Sequence, residues 1–218
     1  MSRHRGRAVL VLLAIVTYNS WLLWRLNGDP RALSGYLSEL AAQDQPYQWL
    51  FRLGDLLAAA VFAVIAVLGR RGWGRWIGPR AAQVSAALLV VAVGTVADAV
   101  FNLPCAESRD AVCAATPSLV RRVHEASSTV VSTSMLLLIG LVALGWWERE
   151  RWSGRVRATA GLGVVVAALL FSSTVAPKLA PGTQGAVQII QVVLCSAWIG
   201  LLAWRLEDED EGQQVRDG

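Results

Sequence analysis

The sequence predicts an all-α membrane protein: a polytopic bundle of six transmembrane helices with a short amphipathic helix on its extracytoplasmic side. Three observations predict it. The 218-residue chain is 55% hydrophobic and only 17% charged, with a mean hydropathy of +0.46. That is more apolar surface than one soluble core of this size needs. The excess falls in six runs of about 20 residues, the length that crosses a hydrocarbon layer. None of the runs alternates with period two, which argues against a transmembrane barrel.

The runs lie at about 8–26, 49–69, 79–102, 119–147, 158–177 and 184–204, within a membrane domain of residues 1–207. The first follows the basic stretch MSRHRGR, but it is long for a signal-peptide core. It is followed by RLNGDP without a small-x-small cleavage pattern, so we read it as a retained helix. Arginines set the orientation, because basic residues near helix ends stay cytoplasmic. Arg3, Arg5 and Arg7 precede the first run, Arg70, Arg71, Arg75 and Arg80 separate the second and third, and Arg149, Arg151, Arg155 and Arg157 separate the fourth and fifth. Six spans put these on one side. Arg31, Arg52, Arg109, Arg121, Arg122 and Lys178 fall on the other, dispersed among acidic residues. The expectation is a multi-pass protein of the bacterial plasma membrane with both termini cytoplasmic.

The net charge of +4 and pI near 9.4 therefore report topology and contact with anionic lipid headgroups. No basic helix or aromatic-interleaved patch points to nucleic acid, and membrane lipids are the partners expected. Oligomeric state is not readable. The acidic tail 208–218 reads as a solvated, disordered cytoplasmic end. Trp73, Trp76, Trp146, Trp147, Trp152 and Trp204 mark the cytoplasmic interface, and Trp49 with Tyr47 the outer one.

Cys105 and Cys113 bracket AESRDAV in the loop after the third run, which the charge argument places in an oxidising compartment. They read as a disulfide. Cys195, inside the sixth run, reads as a packing residue. In the other outer segment, RALSGYLSELAA places Leu33, Tyr36, Leu37 and Leu40 at helical spacing, which predicts the amphipathic helix over the bundle mouth.

Polar groups cluster in the outer half. Arg52 and Asp55 open the second run, Asp98 and Asn102 close the third on one face, and His124, Ser127 and Ser128 open the fourth. Gln184, Gln188 and Gln191 form a stripe in the sixth, with Asn19, Ser20, Ser172, Ser173 and Thr174 at similar height. A charge at that depth costs several kcal/mol unless it is paired or wet, so these groups are expected to face inward and meet, with Glu39 capping them from the loop. The plainer reading is helix glue: hydroxyls and amides that bond across helices, with Arg52 neutralising Asp55. Glue, however, has no reason to prefer one leaflet.

Candidate catalytic groups are Asp98, His124, Asp55 and Glu39. Candidate ligand-binding groups are Arg52, Asp55, Asp98, Asn102, His124, Ser127, Gln188 and Gln191, with Arg52 suited to a phosphate. A zinc site would have to be completed by carboxylates around the single histidine outside the basic stretch, and no metal or cofactor is predicted. A serine hydrolase would need Ser127 or Ser128 with His124 and Asp98, but no strained nucleophile turn is visible.

YNSWLL, LSELAAQDQPYQWLFRLGD, VADAVFNLPC, the second loop cysteine and HEASS, taken in that order, resemble the bacterial family called domain of unknown function 998 over nearly the whole chain. The resemblance implies a six-helix integral membrane protein without an established activity. More distantly, the SEL…P…LFR.GD portion is similar to the Frag/DRAM/Sfk family, some of whose members act in lipid remodelling. The expected function is binding or modification of a lipid headgroup in an outer-half pocket, with enzyme activity left open. The alternative is a transporter or accessory protein that uses the same cluster as a proton or solute vestibule.

Overall fold

The computed structural model describes residues 3–206. The acidic tail 208–218 lies outside the described residues. Six helices among them are long and apolar enough to cross a membrane: His4–Asn27, Gln48–Gly72, Ala81–Val100, Leu119–Glu150, Gly154–Leu179 and Gln184–Trp204. The chain is a multi-pass membrane protein.

The first span is composite. Helix α1 (Arg3–Tyr18) gives way at Asn19 to a 3₁₀ segment, Ser20–Asn27. Asn19 satisfies the break itself, its amide donating to the Ile15 carbonyl at 2.8 Å, one of the acceptors a helix end leaves free. Gly28, at φ 75°, ends the segment in a left-handed conformation that glycine adopts at little cost. After a second 3₁₀ turn, Leu37–Ala41, come α2 (Gln48–Gly72), the short α3 (Gly74–Ile77) and α4 (Ala81–Val100). The short α5 (Ala111–Ala115), then α6 (Leu119–Glu150), α7 (Gly154–Leu179) and α8 (Gln184–Trp204) complete the chain. Side chains of Asp110, Ser118 and Ser153 cap α5, α6 and α7 by accepting backbone N–H groups.

The long helices form a closed ring: α1 packs on α2, α2 on α4, α4 on α6, α6 on α7, α7 on α8, and α8 back on α1. Small residues permit the close crossings. A Cβ on Gly94 would run into Val131 of α6, and one on Gly54 into Ser20. Large apolar side chains such as Leu12, Val67, Val93 and Phe171 face outward, as they should toward lipid.

Two apolar clusters fill the ring unequally. The larger, around Phe62, Ile65, Leu88, Leu138, Ile199 and Leu202, continues to Trp73 and Ile77 at the arginine-rich end. The smaller, at the opposite end, packs Ala32, Leu40 and Ala41 of the segment 28–47 on Phe51 of α2; that segment and 101–118 we call the cap. Two expectations need correction here. Trp73 and Trp146 are buried rather than interfacial: the Trp73 indole donates to the Leu202 carbonyl and that of Trp146 to the Trp76 carbonyl. The segment 31–42 is not one amphipathic helix but turns followed by a 3₁₀ helix of five residues, because Tyr36 is extended and Leu40 and Glu39 are buried rather than laid on a surface.

Candidate functional site

The cap is stitched together from two distant stretches of sequence. Glu39, 1% exposed, accepts from the Tyr36 amide at 3.2 Å and from the Ser108 hydroxyl at 2.5 Å. Gly35 lies so close to both Ser108 and Glu39 that no Cβ fits. Arg109 pairs with Asp29 at 2.8 Å, Asp44 accepts from the Ala106 backbone N–H, and the Gln43 backbone N–H donates to the Leu103 carbonyl. Cys105 and Cys113 form a disulfide, while Cys195 is free and buried in α8. Arg121 ties α6 to this loop through an ion pair with Glu107 and hydrogen bonds to the carbonyls of Cys113, Ala114 and Thr116. Burial raises the Glu39 carboxyl above its ordinary range, whereas the hydrogen bond from Arg109 holds Asp29 below it.

The cap is also fastened to the ring. The Leu37 amide donates to Gln188 of α8 at 2.6 Å, and Asn102, two residues past the end of α4, donates to the Ala41 carbonyl at 2.6 Å. Tyr36 donates its hydroxyl to the Ser173 carbonyl at 3.0 Å. That carbonyl is available because Pro177, four residues on, has no N–H to offer it.

Beneath the cap lies a cavity of about 150 Å³. Asp98 of α4 and Asp55 of α2 line it, together with His124, Ser128 and Ser132 of α6 and Gln188 and Gln191 of α8. Tyr18, Trp21 and Phe51 supply aromatic walls. Asp98 is held by the hydroxyls of Ser127 and Ser128, the latter at 2.9 Å. His124 Nδ1 stands 3.7 Å from an Asp98 oxygen, beyond hydrogen-bonding distance. It is buried without a hydrogen-bond partner. Asp55 makes no hydrogen bond or ion pair among the described residues, and it lies near enough to Asp98 for their charges to interact. No lysine or arginine is among the described residues lining the cavity.

The structure thus brings Asp55, Asp98, Asn102, His124, Gln188 and Gln191 to one cavity, with Ser127 behind Asp98. It separates the other two candidates from it. Arg52 turns its guanidinium to the Ala99 carbonyl at 2.7 Å and over the Trp49 ring at 4.2 Å. A free carbonyl at the end of α4 and an aromatic face are better partners than a carboxylate on its own helix that points into the ring. Glu39 is a clamp within the cap and not a cavity group. Tyr18, Trp21, Thr95 and Ser132 were missed. Helical spacing held a signal for two of them, since Thr95, Asp98 and Asn102 recur at i, i+3, i+7, and His124, Ser128 and Ser132 at i, i+4, i+8.

Both serine hydroxyls are spent on Asp98 rather than offered to the imidazole, which is the contact a serine nucleophile would need. Among the described residues, the grouping of three potential metal donors is Cys105, Asp110 and Cys113, whose two sulfurs are joined to each other. The arrangement offers hydrogen-bond acceptors, two carboxyl groups and aromatic side chains in a small, partly open space.

No curated protein and no solved structure matches the chain. The model of the family described as "Protein of unknown function (DUF998)" matches residues 6–205, from the first span to the end of the last. With cap, cavity and ring all inside that match, the chain belongs to the DUF998 family.

Proposed function

We propose that this membrane protein binds the polar end of a membrane amphiphile in the cavity under its cap, and that the polar end it prefers is cationic, an amine. The observation that carries the reading is Asp55: a carboxyl group with no hydrogen-bond or ion-pair partner among the described residues, in one cavity with a second carboxyl group and with no lysine or arginine among the described lining residues. Two like charges in one small site are unfavourable until a proton or a cation is shared between them. Tyr18, Trp21 and Phe51 add faces that attract an ammonium group. This chemistry replaces the phosphate preference that Arg52 would have given, since that guanidinium is occupied elsewhere.

The apolar cluster that fills the rest of the ring supports a one-ended binding site over a conduit, which would need polar groups to continue to the arginine-rich end. In this reading the cap faces the outside of the cell and the site meets the outer leaflet.

The test is a charge series on purified protein by native mass spectrometry, with dodecylamine, dodecanol and dodecanoate as probes. Dodecylamine should bind best, and Asp55→Asn and Asp98→Asn should each weaken it at least tenfold, about 1.4 kcal/mol. Equal binding of the three probes, or indifference to both variants, sinks the reading.

A further inference from the structure

Outside the cavity, a second space opens toward the lipid between the 3₁₀ segment of the first span and α8, with a volume of about 570 Å³. Ile15, Val16, Leu22 and Leu23 form one wall, Val193 and Ala197 the other. It exists because the span breaks at Asn19: the narrower 3₁₀ turn draws the chain away from α8, where Ser196 and Ala197 leave little bulk. Of the polar side chains that line this space, Asn19 and Ser196 are satisfied, while the Ser20 hydroxyl has no hydrogen-bond partner among the described residues. The Asn19 amide donates to Ser196 at 2.9 Å, and its carbonyl oxygen accepts from the Trp21 indole at 2.9 Å. Apart from that one hydroxyl the exposed lining is apolar, and its occupant should be hydrocarbon.

Any lipid-facing groove will be covered by some acyl chain. What distinguishes this one is continuity. Ser20 and Trp21 line both the groove and the acidic cavity, and on α8 the cavity residues Gln191 and Val192 run directly into Val193 of the groove. A second apolar groove of about 400 Å³, between α4 and α6 at Leu89, Val93 and Ala97, shares no lining residue with the cavity.

We infer that the groove between α1 and α8 holds the hydrocarbon tail of the same molecule whose polar end occupies the cavity, so that the ligand is a long-chain amphiphile with a cationic head. It enters sideways from the bilayer, past Trp21, rather than through the cap. The inference rests on the amine-binding reading and adds to it the path and the tail.

The experiment uses the full chain in phosphatidylglycerol vesicles and a long-chain alkylamine carrying a photoreactive diazirine in mid-chain. Crosslinks should concentrate on residues 15–23 and 193–197, exceed those on residues 89–97 several-fold, and be competed by unlabelled dodecylamine. Ala197→Trp fills the groove from its lipid-exposed side and leaves Asp55 and Asp98 untouched. It should weaken dodecylamine about tenfold and leave butylamine, which has too short a tail to use the groove, unchanged. Equal labelling of the two grooves overturns the inference and needs no variant to show it. So does an Ala197→Trp protein that binds dodecylamine normally while Asp98→Asn does not, and in that case the amine reading stands. Indifference of both amines to Asp98→Asn removes the amine reading, and the tail path falls with it.

Discussion

Asp98 and Asp55 line one cavity but differ in what offsets the burial of a carboxyl group. Removing a carboxylate from water costs several kcal/mol unless hydrogen bonds or charge offset it. At Asp98 the hydroxyls of Ser127 and Ser128 provide that offset. At Asp55 nothing among the described residues does, and in the proposed function a bound cation would supply that offset. Asn102 is the opposite case, since its amide donates to the buried Ala41 carbonyl and to Gln48. Thermal unfolding of the purified variants should divide accordingly. Asn102→Ala leaves a buried carbonyl without its donor and should cost about 1–3 kcal/mol. Asp55→Asn should leave stability unchanged or raised while amine binding falls. A destabilisation by Asp55→Asn as large as that of Asn102→Ala would place Asp55 among the structural groups.

The element on which sequence and structure part is the cap. Leu33, Tyr36, Leu37 and Leu40 do sit at helical spacing, and burial alone explains why they are apolar. A helix is nevertheless ruled out by contacts from residues far along the chain. Gly35 must pass against Ser108 and Glu39, and Leu33 and Gly35 present their carbonyls to Gly185 at the start of α8. Tyr36 turns extended so that its hydroxyl reaches Ser173. None of these constraints has a local sequence signal. The same stitching makes the cap sensitive to pH in a determinate direction. Glu39 has its carboxyl raised by burial, so the closed cap holds that proton more tightly than an open one, and closure weakens as pH rises through the raised value. Asp29 is lowered by Arg109, so its contribution is present above the ordinary carboxylate value and is lost as pH falls through the lowered one. Hydrogen exchange at residues 37–42, corrected for the intrinsic rate, should show protection falling as pH rises through the raised Glu39 value. Glu39→Gln should flatten that slope. Protection that rises with pH would show that burial of Glu39 does not control the cap.

At the scale of the whole molecule, the six spans were legible because a span needs about 20 consecutive apolar residues and little else, and the loop cysteines because their spacing and place in the chain left them to each other. The facing of individual polar residues was not. Arg52 and Asp55 are three apart on α2, and only the position of the α4 terminus and of Trp49 decides that one turns away while the other lines the cavity. Orientation in the membrane is an argument of the same global kind, and it yields the last prediction. The ring gathers Arg70, Arg71, Arg75 and Arg80 with Arg149, Arg151, Arg155 and Arg157 at one end, on short connections directly beside the spans, where basic residues act on orientation. The cap end carries fewer basic residues and engages several in its own architecture, Arg109 with Asp29 and Arg121 with Glu107. It also carries the disulfide, which persists in an oxidising compartment. Reporter fusions after Gly74 and after Ser108 should therefore give cytoplasmic and external signals respectively. The reverse pattern would place the acidic cavity in the cytoplasmic leaflet, and the amine-bearing amphiphile would then have to be sought there.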